Sequence, residues 1–158
     1  MRGKKTADKR QIQPDRIYNN FMVAKFINNI MRDGKKTTAE KQFYASFDIL
    51  KEQGHNPVDV FEKAIQNVGP RQEVKAKRVG GASYQIPIDV RGDRRISLAM
   101  RWIIESARGR SNKEFHTFAE KLAAEFLAAI NNEGAAVKKR DVAQRMADAN
   151  KAFSHFRY

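Results

Sequence analysis

Apolar residues recur along most of this chain at spacings of three and four. Val23, Phe26, Ile27, Ile30 and Met31 form one such stripe, which predicts an amphipathic helix stopping at Gly34. Thr37 and Glu40 stand three apart ahead of Phe43, Phe47 and Leu50, so a capping box is expected to open a second helix that closes at Gly54. Asn56-Pro57 offers a cap and a preorganised first residue for a third helix, carried by Val58, Phe61, Ile65 and Val68 and ended by Gly69-Pro70. Helical patterning returns after Asp93 with Ile96, Ala99, Met100, Ile103 and Ala107. A fifth helix is expected from about Ser111, presenting Phe115, Phe118, Leu122, Phe126 and Ile130. A sixth follows Gly134, with Val142, Met146, Ala149 and Phe153 in line. Each stripe reads as core rather than as a row of rings for stacking a ligand.

Residues 71–90 break the helical period. Apolar and polar positions alternate on both sides of Gly80-Gly81, and Tyr84, Ile86, Ile88 and Val90 share one face. This predicts a β-hairpin whose arms reach about 25–30 Å at roughly 3.3 Å per residue. Pro87 cannot donate to a ladder, so its strand is an edge there. A two-stranded ribbon is marginal alone in water, and the arm is expected to be held by something beyond itself. The alternative is that its apolar face lies flat on the helices. The expected fold is therefore mainly α, with about six helices and one protruding hairpin, α+β only by a small margin. One domain over 13–158, an arm at about 72–90 and a flexible basic tail over 1–12 complete the expected organisation.

Composition adds the functional direction. The chain has 158 residues with 31 Lys+Arg against 18 Asp+Glu, a net charge of +13. Ten Phe and one Trp within a 41% hydrophobic content are enough for a core, which excludes a disordered basic peptide. The absence of cysteine removes disulfides, thiolate metal sites and cysteine nucleophiles. No apolar run approaches the roughly 18 residues of a membrane span, and the charged N-terminal stretch has no apolar segment after it, so no secretory signal is expected.

No catalytic motif stands out. His55, His116 and His155 are far apart in sequence, Gly34-Lys35-Lys36 lacks the upstream glycine and hydroxyl of a phosphate-binding loop, and Gly81-Ala82-Ser83-Tyr84-Gln85 lacks the second glycine of a nucleophile elbow. Neither a cofactor nor a metal is expected, and the chain is read as a non-enzyme.

The positive charge is blocked. Residues 1–10 carry a net +4, 69–113 a net +7 and 135–158 a net +4, whereas 48–68 and 114–134 are acidic. Blocks of one sign are what a binding face requires. Arg32, Lys35 and Lys36 sit at the first helix junction. Arg91, Arg94 and Arg95 flank the start of the fourth helix, where free N–H groups already favour an anion. Arg108, Arg110 and Lys113 crowd the next junction, and Arg71, Lys75, Lys77 and Arg78 make the arm basic. Taken singly each cluster could be a solvated turn; together they point to a polyanion, with Arg suited to bidentate phosphate contacts. A membrane surface is the poorer partner, because the apolar stripes are committed to a core. Composition alone leaves RNA and DNA open, including an architectural DNA binder working as a dimer with a β-arm on a bent duplex.

The run Lys25-Phe26-Ile27-Asn28-Asn29-Ile30-Met31-Arg32-Asp33-Gly34-Lys35-Lys36 closely resembles the signature of the small-subunit ribosomal protein seven family in its bacterial form. The resemblance continues through Asn67-Val68-Gly69-Pro70, Val79-Gly80-Gly81, Tyr84-Gln85-Ile86-Pro87 and Arg101-Trp102. It closes on residues 149–158 (ANKAFSHFRY), so essentially the whole chain is covered. It implies a six-helix domain with a protruding hairpin, bound to small-subunit rRNA at a multi-helix junction of the 3′ major domain, where it nucleates assembly of the subunit head in the cytoplasm. It further implies a place at the subunit interface with the hairpin near exit-site tRNA and outgoing mRNA, small-subunit proteins nine and eleven as neighbours, and a monomer when free. Carried over by position, the tail (Arg2, Lys4, Lys5, Lys9, Arg10), Gly34-Lys35-Lys36 and the hairpin with Gly80, Gly81 and Tyr84 would meet RNA. Gln42 departs from the pattern, which usually has an apolar residue just before Phe43.

Overall fold

The computed structural model describes residues 11–157, and the tail cations Arg2, Lys4, Lys5, Lys9 and Arg10 lie outside that range. Within it, three helices, α1 (Phe21–Ile30), α2 (Lys36–Glu52) and α3 (Pro57–Val68), precede an antiparallel pair, β1 (Gln72–Val79) and β2 (Ala82–Asp89). Three more helices follow, α4 (Gly92–Gly109), α5 (Phe118–Ile130) and α6 (Gly134–Ala149), and then a short 3-10 segment over Lys151–Arg157. The expected mainly helical fold with one two-stranded hairpin is what forms.

The core is aromatic. Phe26, Phe43, Phe47, Phe61 and Phe126 are fully buried and come from α1, α2, α3 and α5. Their ring centroids lie 4.3 Å apart for Phe43 and Phe47 and 5.3 Å for Phe26 and Phe61, mostly tilted or edge-on, as ring quadrupoles favour. α4 closes one side of this cluster with Met100 and Ile103, both without exposure. Asp15 fastens the segment leading into α1. Its carboxylate accepts from the Ile17 and Tyr18 N–H groups and from the Tyr44 hydroxyl, and burial, then Asp15, push that hydroxyl's pKa above its ordinary value.

Two helix starts and one buried helix face differ from expectation. The Thr37–Glu40 capping box does not form, because Asp33 (φ 52°) and Gly34 (φ 71°) turn the chain early and α2 begins at Lys36, with Lys35 as its cap residue. Thr37 is then inside the first turn and cannot cap it. The capping box lies instead at Thr117 and Glu120 and starts α5 at Phe118, seven residues later than Ser111. Residues 110–117 are held as a loop by the Lys121 ammonium, which donates to the Arg110 carbonyl at 2.7 Å and to Asn112 Oδ1. Phe115 lies in that loop, its ring 5.5 Å from the Arg110 guanidinium. In α6 the aligned Val142 and Met146 are exposed at 40% and 52%, and the helix instead buries Ala136, Val137 and Ala147. Small residues suffice there because α6 packs closely over α4, α5 and the root of the hairpin.

Glu125 is a buried carboxylate that joins three helices. It is 1% exposed. Its Oε2 accepts from Arg110 Nε at 2.8 Å and its Oε1 from the Ala136 N–H at 3.0 Å. The end of α4, the middle of α5 and the first turn of α6 thus meet on a single side chain.

The hairpin turns through Gly80 and Gly81, at φ 58° and 91°, a two-residue loop that needs residues tolerant of the left-handed region. Val79 pairs with Ala82 and Gln72 with Asp89, so each arm is eight residues long, about 26 Å at 3.3 Å per residue. What holds it is this chain's own 3-10 segment. Tyr84 packs between Phe153 and Phe156, with centroids at 5.3 and 5.1 Å, and the Lys77 ammonium donates to the Phe156 carbonyl at 2.9 Å. At the root, Arg94 on α4 grips Glu73 on β1 with two hydrogen bonds.

Candidate nucleic-acid interface

Along α4, Arg94, Arg101 and Arg108 stand seven apart; Lys25 lies on α1, and Arg32 follows it by seven residues, just beyond the end of that helix. Seven residues are close to two helical turns, so the α4 set occupies one face, and Arg94 to Arg108 spans about 21 Å. α1 and α4 pack against each other, which lays the two rows side by side. Three grooves run along this seam. The first, of about 500 Å³, is lined by Arg32, Lys35 and Arg108 over an apolar floor that includes Ile30 and Phe118. The second, of about 410 Å³, shares Arg108 and adds Lys25 and Arg101. The third shares Lys25 with the second and ends at Arg94 and Asp93.

Arg108 is fixed for this role. Its guanidinium donates to the Ile30 carbonyl at 3.0 Å, closing the C-terminal end of α1. Burial, and then the like charge of Arg32, pull its pKa below its ordinary value. Two guanidinium groups facing one groove, with no carboxylate among its lining residues, are relieved by an anion between them. The α1–α2 turn places Lys35 beside them, with the Lys35 N–H bonded back to the Arg32 carbonyl at 2.9 Å.

The junction clusters read from the sequence are partly divided by the fold. Arg32, Lys35 and Arg108 come together. Lys36 sits one residue further round, 4.0 Å from Glu40. Arg110 turns inward to Glu125, while Lys113 remains exposed in the loop. At the start of α4, Arg91 is exposed, Arg94 is shared with Glu73, and Arg95 folds back over the end of α3. In the arm, Lys75, Arg78, Gly80 and Gly81 lie on the surface. Lys77 and Tyr84 are the contacts that tie the arm to the 3-10 segment, and Arg71 lies at the arm's root. Lys25 and Arg101 belong to the seam but are absent from the expected clusters. Their signal was the period of seven, which grouping by helix junction passes over.

Gln42 lines the first groove, and its Oε1 is buried without a hydrogen-bond partner. An orphaned buried acceptor costs about 1–3 kcal/mol. Gln42→Leu should therefore stabilise the free protein by about 1 kcal/mol, read as a higher urea midpoint at unchanged slope.

A mainly helical domain with a cation-lined seam and a basic two-stranded arm has the architecture of a nucleic-acid-binding protein. Comparison with known proteins narrows the class. A family model described as "Ribosomal protein S7p/S5e" matches residues 2–151. The small ribosomal subunit protein uS7 of Ligilactobacillus salivarius is 53% identical over 151 residues, 95% of each chain. Its counterpart in Beijerinckia indica is 50% identical over 159 residues, covering both chains in full. The chain belongs to the S7 family of ribosomal proteins, and is a structural, non-enzymatic constituent of the small ribosomal subunit.

Proposed function

We propose that the chain binds small-subunit rRNA directly, at a multi-helix junction of the 3′ major domain, and nucleates assembly of the subunit head. The observation that carries this is the α1–α4 seam, where Arg32, Lys35, Arg108, Arg101 and Lys25 line connected grooves. Charge neutralisation where RNA helices converge lets phosphates approach that would otherwise repel, and the fixed guanidinium of Arg108 suits that task. The tail cations Arg2, Lys4, Lys5, Lys9 and Arg10 would extend the same contact. The arm, with Lys75 and Arg78 exposed on it, points to a second use: it lies against exit-site tRNA and outgoing mRNA, with proteins nine and eleven as neighbours. The free protein is a monomer.

The test is competition. Labelled RNA of the 3′ major domain is challenged with equal lengths of duplex DNA and of unrelated folded RNA. Failure of both competitors in large excess supports recognition of one RNA fold; competition on equal terms means that only charge is read, and favours an architectural DNA binder. Deleting 75–86 should leave rRNA affinity within a few-fold, and a hundredfold loss would overturn the division of labour between seam and arm.

A further inference from the structure

We propose that the hairpin and the 3-10 segment form one cooperative unit, which opens and closes as a whole while the helical domain stays folded. The segment is a strap, and the arm is rigid only while the strap's rings rest on it.

The grounds lie in where apolar surface is buried. The core around Phe26, Phe43, Phe47, Phe61 and Phe126 draws on all six helices, but α6 gives it only Ala136 and Val137, and no residue of β1, β2 or the 3-10 segment belongs to it. Among the described residues, the strands pack on α6 and the 3-10 segment and on no other helix, while the 3-10 segment packs only on β2 and α6. Arg94 reaches Glu73 from α4 by its long side chain, at the root of the arm.

A second, smaller apolar cluster therefore stands outside the first. Ile86 on β2 and Ala147 on α6 are 2% and 1% exposed, yet neither is part of the main core. Nearer the tip the cover is aromatic. Tyr84 sits against Phe153 and Phe156, whose own rings stack 6.5 Å apart and 18° from parallel.

Neither half of this cluster can stand without the other. Across the ladder Tyr84 faces Lys77 and Ile86 faces Lys75, so β1 offers ammonium chains where a self-sufficient sheet would offer apolar partners. A ribbon of two strands with its apolar face uncovered is marginal in water. The 3-10 segment has seven residues, too few to persist as an isolated helix. Two elements that are each unstable alone, and that bury their rings on one another, order together, in a unit less stable than the global fold. The Lys77 ammonium on the Phe156 carbonyl fixes the closed position. A coupling follows: any contact that holds 151–157 in place lowers the entropy lost when the arm is fixed against a ligand, and that ligand steadies the strap by the same factor.

The experiment is amide hydrogen exchange on the full chain without RNA, comparing the unaltered chain with Phe156→Ala and Tyr84→Ala. In the unaltered chain the cross-strand amides and the Phe153 N–H, which donates to the Asn150 carbonyl, should exchange through one opening event, well before the amides of α2, α3 and α5. Phe156→Ala should speed exchange of the hairpin amides about tenfold, and Tyr84→Ala should speed the Phe153 N–H by a similar factor. Neither should change exchange in α2, α3 and α5, or the urea midpoint read from helical circular dichroism, because both rings lie outside the main core. If Phe156→Ala leaves the hairpin amides as they were, the ribbon stands by itself and the proposal fails. It fails equally if Tyr84→Ala loosens the hairpin while the Phe153 N–H keeps its protection. If either variant speeds exchange in α2, α3 and α5 by the same factor as in the hairpin, the arm belongs to the global fold and no separate unit exists.

Discussion

Glu125→Ala should lower the stability of the free protein by about 3–5 kcal/mol, the loss expected when one partner of a buried ion pair is removed. The substitution does three things at once. It strands the Arg110 guanidinium in a partly buried position, orphans the Ala136 N–H at the first turn of α6, and leaves a void beside Ala128 and Gly134, where α5 meets α6. Glu125→Gln would keep an acceptor for the Ala136 N–H and lose only the charge, so it should cost less than half as much. Urea unfolding followed by circular dichroism separates these cases, and equal midpoints for the two variants would show that packing, not the carboxylate, fastens the three helices. Asp48→Ala provides the contrast. Its partner Lys51, 3.1 Å away, is on the surface, and both side chains are at least half exposed, so the change should stay within about 0.5 kcal/mol.

The second large effect is on binding. If some six to ten phosphates are contacted, affinity for the 3′ major domain RNA should fall about 10³–10⁵-fold between roughly 50 and 200 mM salt. That relation is for duplex nucleic acid, and single-stranded contacts give a shallower slope. The seam supplies Arg32, Lys35, Arg108, Arg101 and Lys25, with Arg94 already paired to Glu73, which comes to just under the lower end of this range before any other cation is counted. Lys35→Ala and Arg101→Ala should each reduce the slope by about one. A slope near two for the unaltered chain would mean that shape or base contacts, not the cationic seam, carry the affinity.

Element order and hairpin register were legible in the sequence because each depends on local signals. Asn56-Pro57 caps α3 through a bond from the Val58 N–H to Asn56 Oδ1, and Gly80-Gly81 fixes the register of both strands by itself. The misplaced boundaries were set by neighbouring turns and loop contacts that override a capping or spacing signal. Thr37 lost its role to a turn already completed at Gly34, and the loop before α5 is held by Lys121 from inside the helix that follows it. Val142 and Met146 align with helical spacing, yet which side of α6 is buried was decided by where α4, α5 and the hairpin root lie. The candidate site was legible as charge and only partly as geometry. Arg110 and Arg108 are two residues apart and look equivalent on paper, but one meets a buried carboxylate fifteen residues further on while the other meets a carbonyl 78 residues back.

The brace on the hairpin also sets an order of events during synthesis. Lys77 and the carbonyl it holds are 79 residues apart, so at roughly 5–20 residues per second the arm is made several seconds before its support. Over that interval a two-stranded ribbon with both edges open must persist as a marginal structure, presenting unpaired backbone to any other extended chain nearby. The chain therefore has a window of its own making in which strand exchange or aggregation is open to it, and the window closes when Phe153 and Phe156 settle on Tyr84.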